Sequence, residues 1–312
     1  MITIRGLLEE CKNTLVRSET PSETPGLDAL ILLERVTERD RGYLLAEQNE
    51  PVETVLDSDG VTQFRELLDR RRRGEPIAYI IGSREFFGLE FEVGPGVLIP
   101  RPDSEVLVER AISLLVDMAD TVEMADTVDI AEAPPLKILD CCTGSGCIGI
   151  SIAAGFAEVS DRPLDVVLSD IDGDALEWCR KNAAALKSFI GPSVSISITR
   201  NNLVGPVDEM ALITANPPYL TDDETKKVLA KGWGEPSLAL AAGIDGLGTI
   251  RKLVPQAYSS LRPGGYLVME HGSTQGASVR ELCKMAGFEP KSIRTGRDLA
   301  DNERYVEARN GL

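Results

Sequence analysis

The chain has 312 residues, and its 33 basic against 50 acidic side chains leave a formal net charge of −17. A content of 43% hydrophobic and 27% charged residues excludes disordered and fibrous classes, and the length suggests roughly two domains. The acidic balance argues against non-specific nucleic-acid binding, which needs a basic surface to displace counterions.

No apolar run reaches the roughly 18 residues of a membrane helix, and Glu9 and Glu10 interrupt the opening MITIRGLLEECK where a signal peptide would be apolar. Cys11, Cys141, Cys142, Cys147, Cys179 and Cys283 form no CxxC pair, so reduced thiols in a cytoplasmic protein and no metal site are expected.

Residues 1–82 read as helical. Leu27, Leu30, Ile31 and Leu33 have the spacing of a buried helix face, with Pro25-Gly26 as the breaker before it. A second helix near 60–74 ends in Arg70-Arg71-Arg72-Arg73-Gly74, basic residues suited to a helix C-terminus; a solvated end is the simpler expectation and an acidic partner the alternative. From Arg84 the pattern changes. Phe86, Phe87, Leu89, Phe91 and Val93 around Gly88 predict a hairpin, and Pro100 and Pro102 then forbid helix until Asp103 or Ser104 can cap the next one. Three parts follow: a helical domain over 1–82, a hairpin and proline linker over 83–104, and a third domain over 105–312.

In 116–133 the pentapeptide MADTV occurs at 118–122 and 124–128 among regularly spaced acids, a pattern of solvated helix or loop that is assigned no function. Strands and helices then alternate. Strands are predicted at Lys137–Cys141, Val166–Ser169, Val194–Ile198 and Leu212–Ala215, with helices at 146–157 and 173–187. Pro263-Gly264-Gly265 is read as a turn into a strand over Tyr266–Glu270. Short apolar strands between helices predict an α/β fold, a parallel sheet covered on both faces.

The loop Asp140–Gly149 carries G-x-G-x-x-G at 144, 146 and 149, between a strand and a helix. Its glycines allow a tight turn and close approach of a ligand to helix N–H groups. Asp170 ends the next strand, where a carboxylate can accept from ribose hydroxyls. An adenosine-containing cofactor is implied, but this fingerprint does not separate NAD from S-adenosylmethionine (SAM). The fourth strand runs into Asn216-Pro217-Pro218-Tyr219. Two prolines hold the backbone extended, so the Asn216 carboxamide oxygen and the next carbonyl can accept both hydrogens of a planar –NH2 group while Tyr219 lies on its flat face. Such a clamp aims a weak nitrogen nucleophile at a methyl donor.

Loop 140–149 with NPPY at 216–219 resembles the class I SAM-dependent methyltransferases. More narrowly, EFFGLEFEVGPGVLIPRPDSEVLVE (85–109) resembles the linker of the PrmC/HemK family of protein-(glutamine-N5) methyltransferases, and RRRRGEPIAYIIG, EPSLALAAGIDGL, LRPGGYLVMEHGSTQ and GRDLADNERYVEA match further. The resemblance implies a Rossmann-like, mostly parallel sheet with an antiparallel strand near the C-terminus, and an N-terminal helical domain that recognises substrate. It implies methyl transfer from SAM to the glutamine of the GGQ motif in class I peptide-chain release factors. Cys142, Thr143, Gly144, Ser145 and Gly146 would hold the methionine part, Asp170 the ribose, Asn202 and Leu203 the adenine, and Asn216, Pro217, Pro218 and Tyr219 the substrate amide, with Asn216 also near the cofactor. A monomer without direct nucleic-acid or membrane binding is expected. Against the family pattern, Phe87 replaces Trp, Ser104 Thr, His271 an apolar residue and Cys142 the loop's first glycine.

A nucleic-acid amino methyltransferase acting on adenine N6 or guanine N2 is the nearest rival, disfavoured by the charge of −17. An NAD(P)-dependent oxidoreductase is disfavoured by Asp140, which would repel a pyrophosphate; an inactive SAM-binding module is the third reading. His271, the sole histidine, is expected to be structural and Cys147 to be packed, despite its place at a helix start. Glu270 either orders the site or is a solvated carboxylate.

Overall fold

The computed structural model describes residues 2–18, 20–123, 133–230, 232 and 234–311. The chain divides into two compact units, Met1–Ser83 with Lys226–Gly234, and Arg84–Thr225 with Glu235–Leu312.

The first unit begins with helices α1 (Ile4–Val16), α2 (Pro25–Thr37), α3 (Arg41–Ala46), α4 (Ser58–Arg72) and α5 (Ile77–Ile81). Thr3, Asp40 and Asp57 cap α1, α3 and α4, each accepting a first-turn backbone N–H that the helix itself leaves unpaired. Ile4, Leu30, Leu32, Leu33, Leu44 and Phe64 share the core. Two expectations need correction. Pro25 is the first residue of α2, where its missing N–H costs nothing, and Leu27 is exposed while Asp28 is buried. The arginine run is not a uniformly solvated end either. Arg71 Nε donates to Asp28 Oδ2 at 2.6 Å, whereas Arg70 pairs with Glu75 and Arg72 and Arg73 pair with Asp69. Asp28 also accepts from the Ser22 and Thr24 hydroxyls, which supplies the hydrogen bonds a buried carboxylate requires.

A hairpin of β1 (Ser83–Phe86) and β2 (Leu89–Glu92) follows, all but its first residue in the second unit. Phe87 and Gly88 both have positive φ, 52° and 73°, as a tight hairpin turn whose twist matches its strands requires. A 3-10 turn over Pro102–Ser104 leads into α6 (Glu105–Glu123), which contains the first MADTV copy; the second lies outside the described residues. Neither expected cap is made: the Ser104 hydroxyl donates to Glu270 and the Asp103 carboxylate pairs with Arg304.

Then follow β3 (Leu136–Cys141), α7 (Cys147–Val159), β4 (Leu164–Asp170), α8 (Gly173–Ala185), β5 (Val194–Arg200), β6 (Met210–Ala215), α9 (Asp222–Ala230), α10 (Gly248–Ser260), β7 (Leu261–Glu270), α11 (Gly276–Ala286), β8 (Arg294–Arg297) and β9 (Glu303–Arg309). The seven strands from β3 onward form one sheet in the order β5-β4-β3-β6-β7-β9-β8, with only β9 running against the rest. Alternation along β3 sends Leu136 and Ile138 into a core with Leu107 of α6 and Ile152 of α7, and Leu139 and Cys141 into a core with Leu253 of α10 and Val279 of α11. All six residues of β6 are buried, as a central strand covered on both faces must be. Pro263-Gly264-Gly265 is no turn before a strand: it lies inside β7, and a register shift against β6 between Met210 and Leu212 absorbs the extra residues.

After β3 the chain moves outward to β4 and β5, then returns to place β6 on the other side of β3. Loops leaving β3 and β6 therefore diverge at their carboxyl ends and open a crevice there.

Candidate active site

That crevice is a cleft lined by the loops that follow four strands. Cys142–Ser145 leave β3, Asp170–Asp172 leave β4, Asn202 and Leu203 follow β5, and Asn216 and Pro218 follow β6. Residues 96–101 and 104 of the linker and parts of 236–241 complete it.

The loop after β3 is held from several sides. Thr143 N–H donates to the Ser169 carbonyl at 3.0 Å, and Gly144 N–H to Asp170 Oδ2 at 2.9 Å. Gly146 has φ +84°, and a Cβ there would come within 2.8 Å of Ile150 Cδ1. At Gly149 a Cβ would lie 2.2 Å from Leu168 Cδ2, so the third glycine of the fingerprint lets α7 close onto β4. Cys142 (φ 58°) and Leu203 (φ 61°) hold left-handed backbone on the cleft wall, a strain on the order of 1–2 kcal/mol each that the surrounding packing must offset. Cys142 thus occupies a conformation that glycine adopts freely.

Asp140 ties the loop to the sheet. Its Oδ2 accepts from the Thr143 hydroxyl (2.5 Å) and Gly149 N–H (3.1 Å), and its Oδ1 from the Thr214 hydroxyl (2.9 Å). It is fully buried and does not line the cleft, so it makes no direct contact with a ligand there, and any repulsion of a pyrophosphate would act through the loop. The exclusion of a dinucleotide rests instead on the lining: its one basic side chain among the described residues, Arg101, is paired with Glu235, while Asp170 and Asp172 are acidic. Burial pushes the Asp140 carboxyl from 3.8 up to about 6. The folded state therefore takes up the proton before the unfolded chain, and the contribution to stability is fullest below pH ~4 and lost as pH rises through ~6. Asp140→Asn removes this titration. Wild-type stability relative to that variant should fall by about 3 kcal/mol between pH ~4 and pH ~7, measured by denaturant unfolding; an unchanged difference would contradict the assignment.

Asp170 stands at the cleft with each oxygen accepting one backbone N–H, Oδ2 from Gly144 and Oδ1 from Asp172 (3.0 Å). A carboxylate oxygen has room for a second donor, so a pair of vicinal hydroxyls can be received without displacing either bond. Burial raises its pKa above the ordinary carboxylate value, with the backbone donors opposing.

The end of β6 presents Asn216 and Pro218 to the same cleft. Asn216 Nδ2 donates to Ser104 Oγ at 3.4 Å, Ser104 Oγ donates to Glu270 Oε2 at 2.5 Å, and the Tyr219 hydroxyl donates to Glu270 Oε1 at 3.0 Å. Glu270 is thus a buried member of the network and no solvated carboxylate; burial raises its pKa, and the same burial raises that of Tyr219. Pro217 and Tyr219 do not line the cleft; the Tyr219 ring packs with the α10–α11 core and its hydroxyl faces Glu270. The Tyr219 carbonyl is held by Gln275 Nε2 at 2.9 Å.

The linker is a cleft wall, a role its sequence did not announce. Asn182 of α8 donates through Nδ2 to the carbonyls of Glu92 (3.0 Å) and Ser145 (2.9 Å) and accepts Glu92 N–H (2.7 Å), which keys β2 to the glycine loop. Glu235 accepts from Ile99 N–H (2.9 Å) and Arg101 (2.5 Å), joining the linker to the wall of 236–241. Apolar linings at Ile171 and Leu238 were likewise not foreseen; lone aliphatics carry no motif. His271 is buried, its Nδ1 2.9 Å from the Gly272 carbonyl, with its pKa lowered by burial. The Cys147 thiol is pushed up to about 12 by burial, a packed cysteine and no nucleophile.

One reversed strand in a seven-stranded doubly wound sheet, with the cleft at the carboxyl ends of β3 to β6, makes the chain a class I methyltransferase by fold. Residues 7–82 match the family described as PrmC N-terminal domain, and residues 122–233 the methyltransferase small domain. The release factor glutamine methyltransferase of Escherichia coli is 36% identical over 92% of this chain and 93% of its own length. That of Haemophilus influenzae is 33% identical over 92% of both chains, and that of Vibrio cholerae 33% identical over 98% of this chain and 96% of its own. The chain belongs to the release factor glutamine methyltransferase family. The solved structure of a release factor-specific protein-(glutamine-N5) methyltransferase from Alicyclobacillus acidocaldarius aligns at 26% identity over 71% of this chain and 100% of that one, with a TM-score of 0.37. Among the described residues no helix is long and apolar enough to cross a membrane.

Proposed function

We propose that this methyltransferase transfers the methyl group of SAM to the side-chain amide nitrogen of the glutamine in the Gly-Gly-Gln motif of class I peptide-chain release factors, acting in the cytoplasm. The reading rests on one observation: the Asn216 carboxamide and the Asp170 carboxylate line the same cleft, from strands on either side of β3. The release factor glutamine methyltransferases to which the chain is related support it.

The donor set suits SAM. Asp170 receives the ribose hydroxyls, the Cys142–Gly146 loop the methionine part, and Asn202 and Leu203 border the adenine. When bound, SAM supplies an electrophilic methyl on a cationic sulfur, a charge that the acidic lining tolerates better than it would a pyrophosphate. Asn216 Oδ1 and the carbonyl after it accept the two amide hydrogens of the substrate glutamine. That amide is a poor nucleophile because its lone pair is delocalised, and holding both hydrogens shifts density onto nitrogen and fixes its direction of attack. No general base is required: the methylated nitrogen is acidic and releases its proton afterwards. Tyr219 is unsuited to the task, since its hydroxyl proton is committed to Glu270 and its pKa is raised. The first unit supplies recognition of the protein substrate, in keeping with its match to the PrmC N-terminal domain.

Tritiated methyl transfer from SAM to a purified release factor, beside its Gln→Ala variant in the Gly-Gly-Gln motif, tests the reading. Label on the natural factor alone is expected. Label on both removes the assigned acceptor, and label on nucleic acid in place of either favours an adenine or guanine amino methyltransferase.

A further inference from the structure

Behind Asn216 lies a hydrogen-bond chain whose direction is set at its far end. Glu270, 1% exposed at the end of β7, receives the Ser104 hydroxyl on one oxygen and the Tyr219 hydroxyl on the other. Ser104 is 2% exposed, and its single proton is spent on Glu270 at 2.5 Å. Toward Asn216 the serine oxygen can only accept, and it does so from Nδ2 at 3.4 Å. The Asn216 Oδ1 accepts no hydrogen bond from the described residues, while the residue itself lines the cleft.

We propose that Ser104 and Glu270 are positioning residues that select one of the two orientations of the Asn216 carboxamide, and through it the acceptor's chemistry. An asparagine side chain can turn its carboxamide by half a revolution with little steric consequence. In one orientation it shows the cleft an oxygen, which receives an –NH2; in the other it shows an –NH2, which repels one. A serine hydroxyl already committed as a donor breaks that symmetry. The proposal rests on the reading of Asn216 as the amide clamp and adds the group that aims it.

The linker sequence is built to deliver this hydroxyl. Pro102 opens the 3-10 turn, Ser104 N–H closes it on the Arg101 carbonyl at 3.0 Å, and the Asp103–Arg304 ion pair at 3.0 Å fastens the turn to β9. Ser104 thus reaches Glu270 at the end of the neighbouring β7. A clamp oriented in this way discriminates by donor number. A glutamine offers two hydrogens, whereas a glutamate at the same place would set oxygen against oxygen.

Ser104→Val and Ser104→Thr separate the hydroxyl from the volume, because the two replacements share a shape. Turnover at saturating release factor and SAM should fall roughly 10- to 100-fold in Ser104→Val, the scale of a misaligned reacting group, with SAM affinity unchanged by calorimetry. Ser104→Thr should restore most of it. Equal loss in both variants, or wild-type turnover in Ser104→Val, overturns the proposal. A second readout needs no acceptor: hydrogen exchange of the Asn216 side-chain –NH2, followed by NMR, should be protected in wild type and Ser104→Thr and fast in Ser104→Val. Exchange that is equally fast in wild type overturns the proposal even if release factor is methylated. Wild-type enzyme that protects this group yet labels no release factor refutes the substrate reading and leaves the orienting role standing.

Discussion

Asn216→Ala is expected to lower turnover on release factor roughly 10²- to 10³-fold while SAM binds as in wild type. The expected size follows from what the side chain supplies. Asn216 is held at the end of a strand buried on both faces, its Nδ2 fixed by Ser104, so its oxygen is an acceptor already in place before the substrate arrives. Under the proposed mechanism, removal would leave the glutamine amide free to rotate and its lone pair undirected, raising the barrier to transfer while hardly touching the proposed cofactor subsite on β3 and β4. Single-turnover rates beside calorimetric SAM affinity separate the two effects. Retention of wild-type turnover would remove Asn216 from the reaction.

Asp170→Ala should produce the opposite pattern. In the proposed binding mode two charge-assisted hydrogen bonds to ribose hydroxyls would be lost, and with them go the anchors of Gly144 N–H and Asp172 N–H. At about 1.5–3 kcal/mol for a hydrogen bond to a charged group, partly offset by water entering the gap, SAM affinity should weaken by roughly 100-fold. Turnover at saturating SAM should remain near wild type, because Asp170 does not touch the acceptor clamp. A dissociation constant within a small factor of wild type would place the ribose elsewhere.

Much of the second unit was legible because its signals are local. A strand followed at once by G-x-G-x-x-G and a helix fixes β3 and α7, and an acid at the end of the next strand fixes Asp170. NPPY marks the end of β6 because paired prolines cannot continue a ladder or start an interior helix turn. What escaped depends on partners distant in sequence. Leu27 is exposed where burial was expected, and its neighbour Asp28 lies inside instead, because Arg71, far along the chain, supplies the charge that a buried carboxylate needs. Asp140 read as a charge beside the loop that a pyrophosphate would meet, yet Thr143, Gly149 and Thr214 occupy its oxygens inside the protein. The Ser104 hydroxyl read as a helix cap, but its acceptor sits 166 residues away. Pro263-Gly264-Gly265 read as a turn because nothing local says that β6 will continue alongside and tolerate a bulge.

The way Asp140 is bonded has a consequence for how the two halves of the reaction can vary. One carboxylate fastens the first turn of α7 and the loop beside it to Thr214, two residues before Asn216. The proposed seats of donor and acceptor are therefore not separately adjustable parts: slack at this knot would loosen both together. Ile171 and Leu238 line the same cleft but take no part in these three bonds, so a change in either side chain leaves the knot itself intact.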